Sequence, residues 1–173
     1  MLETERLFIR PFTDEDLERL IEMRSDPEVY EYLGGLRMQN PEAIARRMKV
    51  YMASQEKYGF SASAAIWKET GEMIGWGGLM PLDDSGEIEV GYGFIKEYWG
   101  MGLASELAHA WLKYGFETAG LERIVALAIP GNAGSTRVME KLGMKYEKNA
   151  EHFGEDCLFY GITREEFMRP VSK

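Results

Sequence analysis

The sequence predicts one domain of the α/β (α+β) class over residues 1–173, with a mixed, mostly antiparallel twisted sheet of about seven strands flanked by about four helices. Apolar residues alternate in some segments and recur at helical spacing in others, and no repeat or linker separates these segments. Short turns join three consecutive strand patterns, which is typical of an antiparallel meander. A chain of 173 residues is long enough for one core, whereas two full domains are not expected.

The strand patterns are apolar runs bounded by turn formers, and they cover residues 4–12, 60–68, 72–80, 87–95, 121–129, 144–150 and 154–162. The run 121–129 is apolar on both faces from Ile124 onward, which predicts a central strand. In 87–95, bulky residues alternate with Glu89, Gly91 and Gly93, so one face of the strand is nearly bare. Glycine weakens a strand unless something approaches its backbone, so we expect a ligand on that face, or else a bulge or a contact with a neighbouring strand.

Helical patterns occupy four segments, at about 13–23, 41–55, 104–115 and 133–142. The second begins after Asn40 and Pro41, an N-cap followed by proline at the first helical position. The fourth is expected to end at Gly143. Residues 25–36, between the first two helices, are rich in turn formers and are predicted to be a loop.

Composition excludes several classes of function. Cys157 is the only cysteine and His109 and His152 are the only histidines, so neither an internal disulfide nor a metal site is expected. The net charge of −9 argues against a nucleic-acid partner and favours a cationic one. The chain has no apolar run of membrane-spanning length and no secretion signal at its start, so we expect a soluble cytoplasmic protein.

A glycine-rich turn, with Gly100 and Gly102, stands between strand 87–95 and the helix that starts near Ala104. Free backbone N–H groups and the positive end of the helix dipole meet at such a turn, which predicts an anion site suited to phosphate. The turn lacks the Gly-Lys-Ser/Thr of a P-loop, and it fits the dinucleotide-binding motif only loosely because it follows a meander strand. On spacing alone, the glycines also fit a tight turn without a ligand.

The segment Trp99-Gly100-Met101-Gly102-Leu103-Ala104 resembles the pyrophosphate loop of GNAT-superfamily N-acetyltransferases. Trp99 stands where that pattern has Arg or Gln, as it does in the ribosomal-protein N-terminal acetyltransferase (RimJ/RimL-like) branch. The resemblance extends to LETERLFIRPFTDEDLERLIEMRSDPEV, to EVGYGFIKEYWGMGLASEL and to NAGSTRVMEKLGM, in this order, and so covers nearly the whole chain.

The resemblance implies a GNAT fold whose sheet is splayed between the fourth and fifth strands, and acetyl-CoA as the co-substrate. It implies that loop amides bind the pyrophosphate, namely those of Gly100, Met101, Gly102, Leu103 and Ala104. It implies backbone contacts to the pantetheine arm from Tyr92, Gly93, Phe94 and Ile95. Asn132 is implied as a further contact to this arm, although an N-cap is the simpler role for Asn before a helix.

Two residues are candidates for the chemistry. Glu89 shares a strand face with Gly91 and Gly93 and resembles the Glu of the branch's Glu-x-Gly-Tyr segment; it acts either as a base, through water, or as an attractor of the amine. Ser135 matches the Ser of the branch's Asn-x-x-Ser segment and is a candidate acid for the leaving thiolate, or a routine capping residue. Met139 stands where many relatives carry an acidic tyrosine, and it cannot donate a proton.

The predicted activity is direct transfer of an acetyl group to a primary amine in a ternary complex. An acyl-enzyme on Cys157 with His152 as its base is not favoured, because a lone cysteine in an apolar strand is usually buried and inert. A non-catalytic acyl-CoA-binding module of the same fold is the alternative, and Glu89, Asn132 and Ser135 together argue against it.

The acceptor is a protein N-terminus or a small amine such as a polyamine, an amino acid or an aminoglycoside. Acids and tyrosines favour a cationic acceptor over an acidic amine, although a solvated acidic surface accounts equally well for each one. These residues are Asp26, Glu28, Tyr30, Glu31, Tyr32, Asp83, Asp84 and Glu87. The sequence leaves open whether the protein is a monomer or a homodimer.

Overall fold

The computed structural model describes residues 1–32, 40–152 and 154–169. Its strands are β1 (Leu2–Glu3), β2 (Leu7–Arg10), β3 (Ala62–Trp67), β4 (Met73–Leu82), β5 (Glu87–Phe94), β6 (Arg123–Ala128), β7 (Lys145–His152) and β8 (Glu155–Thr163). They form one sheet in the order β1-β2-β3-β4-β5-β6-β8-β7. Neighbouring strands are antiparallel except for β5 and β6, so the predicted mixed sheet is confirmed.

The described residues include six α-helices: α1 (Leu17–Arg24), α2 (Pro27–Tyr30), α3 (Pro41–Tyr58), α4 (Leu103–Glu117), α5 (Ala133–Lys141) and α6 (Arg164–Met168). The four predicted helices are present, with Asn40 capping α3 through a 2.7 Å bond from the Ala43 amide. The short elements β1, α2 and α6 were not predicted. Asp26 caps α2 and Pro27 opens it, so the prediction of a loop is wrong for these residues; positions 33–36 of that loop lie outside the described residues.

The sheet opens between β5 and β6, as predicted. These parallel strands are paired at Glu89 and Val125 only, although β5 continues to Phe94 and β6 to Ala128. Beyond that pair, the facing backbone edges are therefore available to a ligand.

Two apolar layers cover the sheet. Leu107, Trp111 and Phe116 of α4 pack on one face with Leu79 and Val90. On the other face, residues of α1 and α3 pack around Trp76 of β4. Because β6 lies in the middle of the sheet, its residues Ile124–Ala126 are buried on both sides, as their sequence pattern indicates. None of the described helices combines the length and apolar character needed to span a membrane.

Candidate active site

A cavity of about 750 Å³ lies where β5 and β6 diverge, a size that suits a small-molecule site. One part of its wall, the glycine half, comes from the loop before α4 and the start of α5, with Gly100, Gly102–Ser105 and Asn132–Ser135. Another part, the arginine half, comes from α1, from the segment that follows α2, from α3 and from β4, with Arg24, Tyr32, Arg47, Tyr51 and Trp76. Strand β5 contributes to the same wall from Glu89 to Phe94.

Most of the predicted site residues line this cavity. They are Glu89, Tyr92, Gly93, Phe94, Gly100, Gly102, Leu103, Ala104, Asn132 and Ser135. Ile95 does not, because its amide donates to the Ile74 carbonyl at 3.0 Å and its carbonyl accepts from the Tyr98 amide at 3.1 Å. Its backbone groups therefore already have protein partners, and its contact to the pantetheine arm stays a prediction. Met101 also lies outside the lining, with its side chain exposed and its carbonyl accepting a 3.0 Å bond from Nη1 of Arg6.

The glycine half presents backbone amides to the cavity. Gly100 and Gly102 have φ angles of 75° and 79°, which only glycine adopts without strain. The first amide that bonds into α4 is that of Glu106, which donates to the Gly102 carbonyl. The amides from Gly100 to Ser105 donate to no acceptor among the described residues. Together with the dipole of a helix of 15 residues, these amides make the turn chemically suited to an anion.

Side chains remote in sequence hold this loop in place. The guanidinium of Arg6 lies 2.7 Å from Glu106, and this carboxylate also accepts from Thr4 Oγ1 at 2.6 Å and from the Arg6 amide at 2.9 Å. Burial alone would raise the pKa of Glu106, but these partners hold it below its usual value. Trp99 donates its indole N–H to the Phe94 carbonyl at 2.7 Å and so joins the loop to the end of β5. Neither connection was predicted.

Glu89 is positioned as a proton acceptor. It pairs with Met80 of β4, and because side chains alternate along a strand, it shares a face with Gly91 and Gly93 as predicted. Burial raises the pKa of Glu89 to about 7, against the attraction of Arg47, and the charge of Asp83 raises it further. A carboxyl group with this pKa exchanges a proton readily near neutral pH.

A pair of hydroxyl groups spans the gap between β5 and α5. The Tyr92 hydroxyl lies 3.2 Å from Ser135 Oγ and donates to the Ser135 carbonyl at 3.2 Å. Burial raises the pKa of Tyr92 to about 12, although its bond to Ser135 opposes this, so the phenol is protonated at neutral pH. The sequence indicated a backbone role for Tyr92, and its side chain was missed because only the fold brings it to Ser135.

Three other residues considered in the sequence analysis, Asn132, Cys157 and His152, also line the cavity. Asn132 caps α5, with its Oδ1 accepting from the Ser135 amide at 3.1 Å. Cys157 is buried, and burial raises the pKa of its thiol, which makes it a weak nucleophile. His152 Nδ1 lies 3.0 Å from Oδ2 of Asp83. These contacts give no support to an acyl-enzyme on Cys157.

The acids expected to face the acceptor do not line the cavity, although the charge of Asp83 acts on Glu89. Asp26 caps α2, Glu28 forms an ion pair with Lys96, and Glu87 forms one with Arg123. The six acids on which the prediction of a cationic acceptor rested are Asp26, Glu28, Glu31, Asp83, Asp84 and Glu87, and they do not line the cavity. The prediction also rested on Tyr30 and Tyr32, of which Tyr32 lines the cavity, so a cationic acceptor stays a prediction.

The comparisons with known proteins agree with this geometry. Residues 6–145 match the model of the acetyltransferase (GNAT) domain. The chain is 35% identical over 162 residues to the uncharacterized protein YkkB of Bacillus subtilis (strain 168), covering 92% of this chain and 93% of that one. It is 35% identical over 149 residues to the uncharacterized N-acetyltransferase YoaA of the same strain, covering 85% and 84%.

Among solved structures, an acetyltransferase of the GNAT family from Bacillus anthracis matches with a TM-score of 0.80 at 31% identity, over 95% of this chain and 99% of that one. The family match covers the glycine loop, β5 and the start of α5, which are the elements that build the cavity. The chain belongs to the GNAT acetyltransferase family and is an acetyl-CoA-dependent N-acetyltransferase.

Proposed function

We propose that residues 1–173 act as a single acetyltransferase domain that transfers the acetyl group of acetyl-CoA directly to a primary amine. The observation that carries this proposal is the shared cavity. The amides of the glycine loop, the carboxyl group of Glu89, with a pKa of about 7, and the hydroxyl pair of Tyr92 and Ser135 all lie at its wall. A module that only binds acyl-CoA has no need for this carboxyl group or this hydroxyl pair. The resemblance of Glu89-x-Gly91-Tyr92, Trp99 and Asn132-x-x-Ser135 to the ribosomal-protein branch makes a protein N-terminus one candidate acceptor.

The residues present fit acetyl-CoA. The free amides of Gly100–Ser105 suit its pyrophosphate, and the edge of β5 beyond Glu89 suits its amide-containing arm, since β6 leaves this edge unpaired. Ile95 is left out of this set because its backbone groups are already paired. When bound, acetyl-CoA supplies the activated acyl group.

Two proton transfers accompany the exchange of a C–S bond for a C–N bond. Glu89 takes the proton that the amine must lose, directly or through a water molecule. The hydroxyl pair of Tyr92 and Ser135 supplies the proton that the departing sulfur gains, and the pair is reprotonated from solvent. An unperturbed thiol has a pKa near 8.5 and leaves with little assistance, so Glu89 is expected to contribute more than the hydroxyl pair.

Release of free thiol from acetyl-CoA, measured with a panel of peptides and small amines, tests this proposal. We expect acetylation of at least one amine and a raised thermal midpoint with acetyl-CoA, since a ligand that binds only the folded state stabilises it by roughly 2.7 kcal/mol at a hundredfold excess over its Kd. NAD and ATP serve as controls, and they should shift the midpoint less. Equal shifts of the thermal midpoint with acetyl-CoA, NAD and ATP would show that the glycine half binds anions in general and has no preference for acetyl-CoA.

A further inference from the structure

The arginine half contains two cations that have no acidic partner among the described residues. Arg6, Arg10 and Arg19 each lie within 2.7 Å of a carboxylate. By contrast, neither Arg24 nor Arg47 forms an ion pair with a carboxylate of the described residues. Both line the cavity. Arg46 and Arg137 also form no such ion pair, but they do not line the cavity, so Arg24 and Arg47 are the described arginines that offer positive charge to a ligand there.

Arg24 is the stronger indication because it is buried. It is 7% exposed, and its Nε atom is buried without a hydrogen-bond partner in the part of the chain that the structure describes. Its guanidinium lies 4.9 Å from the centre of the Trp76 ring, so one flat face is satisfied by a cation–π contact. The buried Nε–H group still has no acceptor among the described residues, and a buried charged group is costly unless it is paired and hydrogen-bonded.

Arg47 brings a second guanidinium to the same cavity from α3. Its Nε donates to the Tyr51 hydroxyl at 3.2 Å, and its central carbon lies 5.3 Å from the centre of the Tyr51 ring. Its charge also acts on Glu89, which places it within electrostatic range of the proposed base. A ligand held by Arg47 can therefore reach toward Glu89.

Few negative charges oppose these arginines at the cavity wall. Among the described residues, Glu89 and Glu155 are the carboxylates that line it, and Glu155 belongs to β8, beyond β6 from β5. Glu89 is held partly protonated at neutral pH. A guanidinium presents parallel N–H groups that match the two oxygens of a carboxylate, which makes arginine well suited to bind this group.

We infer that the acetyl acceptor is a primary amine that also carries a carboxylate, which Arg24 and Arg47 bind while the amine faces Glu89. This inference rests on the proposed acetyl transfer and names the acceptor class for the same site. The carboxylate undergoes no covalent change; it orients the molecule and offsets the buried charge of Arg24. The carboxylate belongs either to a small amino acid or to an acidic side chain near a peptide N-terminus.

The test compares matched acceptors at saturating acetyl-CoA. Straight-chain ω-amino acids of increasing length are compared with their amides and with the corresponding ω-aminophosphonates, and peptides with Asp or Glu after the N-terminal residue are compared with their Asn or Gln forms. We expect a carboxylate to exceed its amide by about tenfold or more in kcat/KM in one series, which identifies the source. Amides equal to or better than carboxylates in both series, or a preference for phosphonates, would overturn the inference.

Substitutions of Arg24 and Arg47 test whether these arginines cause the preference for a carboxylate acceptor. Arg47→Gln and Arg24→Gln should raise KM for the carboxylate acceptor and bring its kcat/KM close to that of the amide. Arg46→Gln, an exposed arginine next to Arg47 that does not line the cavity, is the matched control and should keep the preference. If Arg24→Gln fails to fold, Arg47→Gln alone decides, because Arg47 is only partly buried.

The decisive quantity is the ratio of kcat/KM for the carboxylate acceptor to kcat/KM for its amide. Removing the charge of Arg47 also raises the pKa of Glu89. The smaller fraction of ionised Glu89 slows acetyl transfer to every acceptor equally and leaves this ratio unchanged. A carboxylate preference that survives both substitutions would contradict the inference while acetyl transfer stands. If no amine is acetylated, the proposed function fails and the inference fails with it.

Discussion

The glycine half of the cavity is made of backbone, whereas the arginine half is made of side chains. The first presents consecutive amides from one short stretch, the loop and the N-terminus of α4, next to the start of α5. The second gathers Arg24, Arg47, Tyr51 and Trp76 from three separate elements. Backbone amides can bind phosphate in any chain that adopts this turn. Substitution of the side chains in the arginine half, in contrast, can change which acceptor binds. We therefore expect the two halves to respond differently to substitution.

The largest expected effect is in the glycine half. Gly102→Val places a branched side chain at a φ of 79°, where such residues are strained, and its Cβ would lie 3.7 Å from Nη2 of Arg6, which helps to hold the loop that carries the free amides. We expect the acetyl-CoA-induced rise in the thermal midpoint to disappear. Gly120→Val is the control, because Gly120 also has a positive φ, of 69°, but does not line the cavity. The control should lose stability and keep the shift; an intact shift in Gly102→Val would show that the loop does not bind the cofactor.

The next effect concerns Glu89, which lies between the two halves. Glu89→Gln keeps the size and removes the base, so we expect kcat/KM to fall by about a hundredfold near pH 7.5. With Glu89 present, activity should rise as pH increases through its pKa of about 7, since the carboxylate form accepts the proton. In the variant, the deficit should shrink at high pH as amines deprotonate unaided.

Glu87→Gln is the matched control for this measurement. Glu87 lies on the same strand, binds Arg123 and does not line the cavity, so its kinetics should change little. A higher amine KM with unchanged kcat in Glu89→Gln would instead assign Glu89 the role of electrostatic attractor. Unchanged kinetics would remove it from the mechanism.

The smallest expected effect is at the hydroxyl pair. Tyr92→Phe and Ser135→Ala each remove one partner of the 3.2 Å contact, and we expect each to lower kcat by about tenfold or less, because the thiol leaves with little assistance. If the two act as one unit, the double variant should be no slower than the slower single variant. Tyr160→Phe, whose hydroxyl contacts Glu140 away from the cavity, should retain full activity. Strictly additive losses would indicate two independent roles.

Local signals explain why much of the fold was predictable. The seven predicted strands and four predicted helices follow apolar periods and caps such as Asn40-Pro41, which act over a few residues. The missed elements β1, α2 and α6 have 2, 4 and 5 residues, too few for a period to show. They depend instead on pairing with β2 and on the caps Asp26 and Thr163.

The sequence by itself determined the glycine turn and the position of Glu89 on the glycine face of β5, because a loop and a strand display these features through their own backbone geometry. At Gly93 this face contacts the neighbouring strand, since a Cβ there would collide with the Trp76 ring of β4. Only the tertiary structure decided which side chains meet across the fold. Tyr92 and Ser135 are 43 positions apart and Arg6 and Glu106 are 100 apart, and no local period relates them. The same holds for the charge of the acceptor site: acids abundant in the sequence turn to caps and ion pairs, and two arginines face the cavity, since packing of α1 and α3 on β4 fixes these directions.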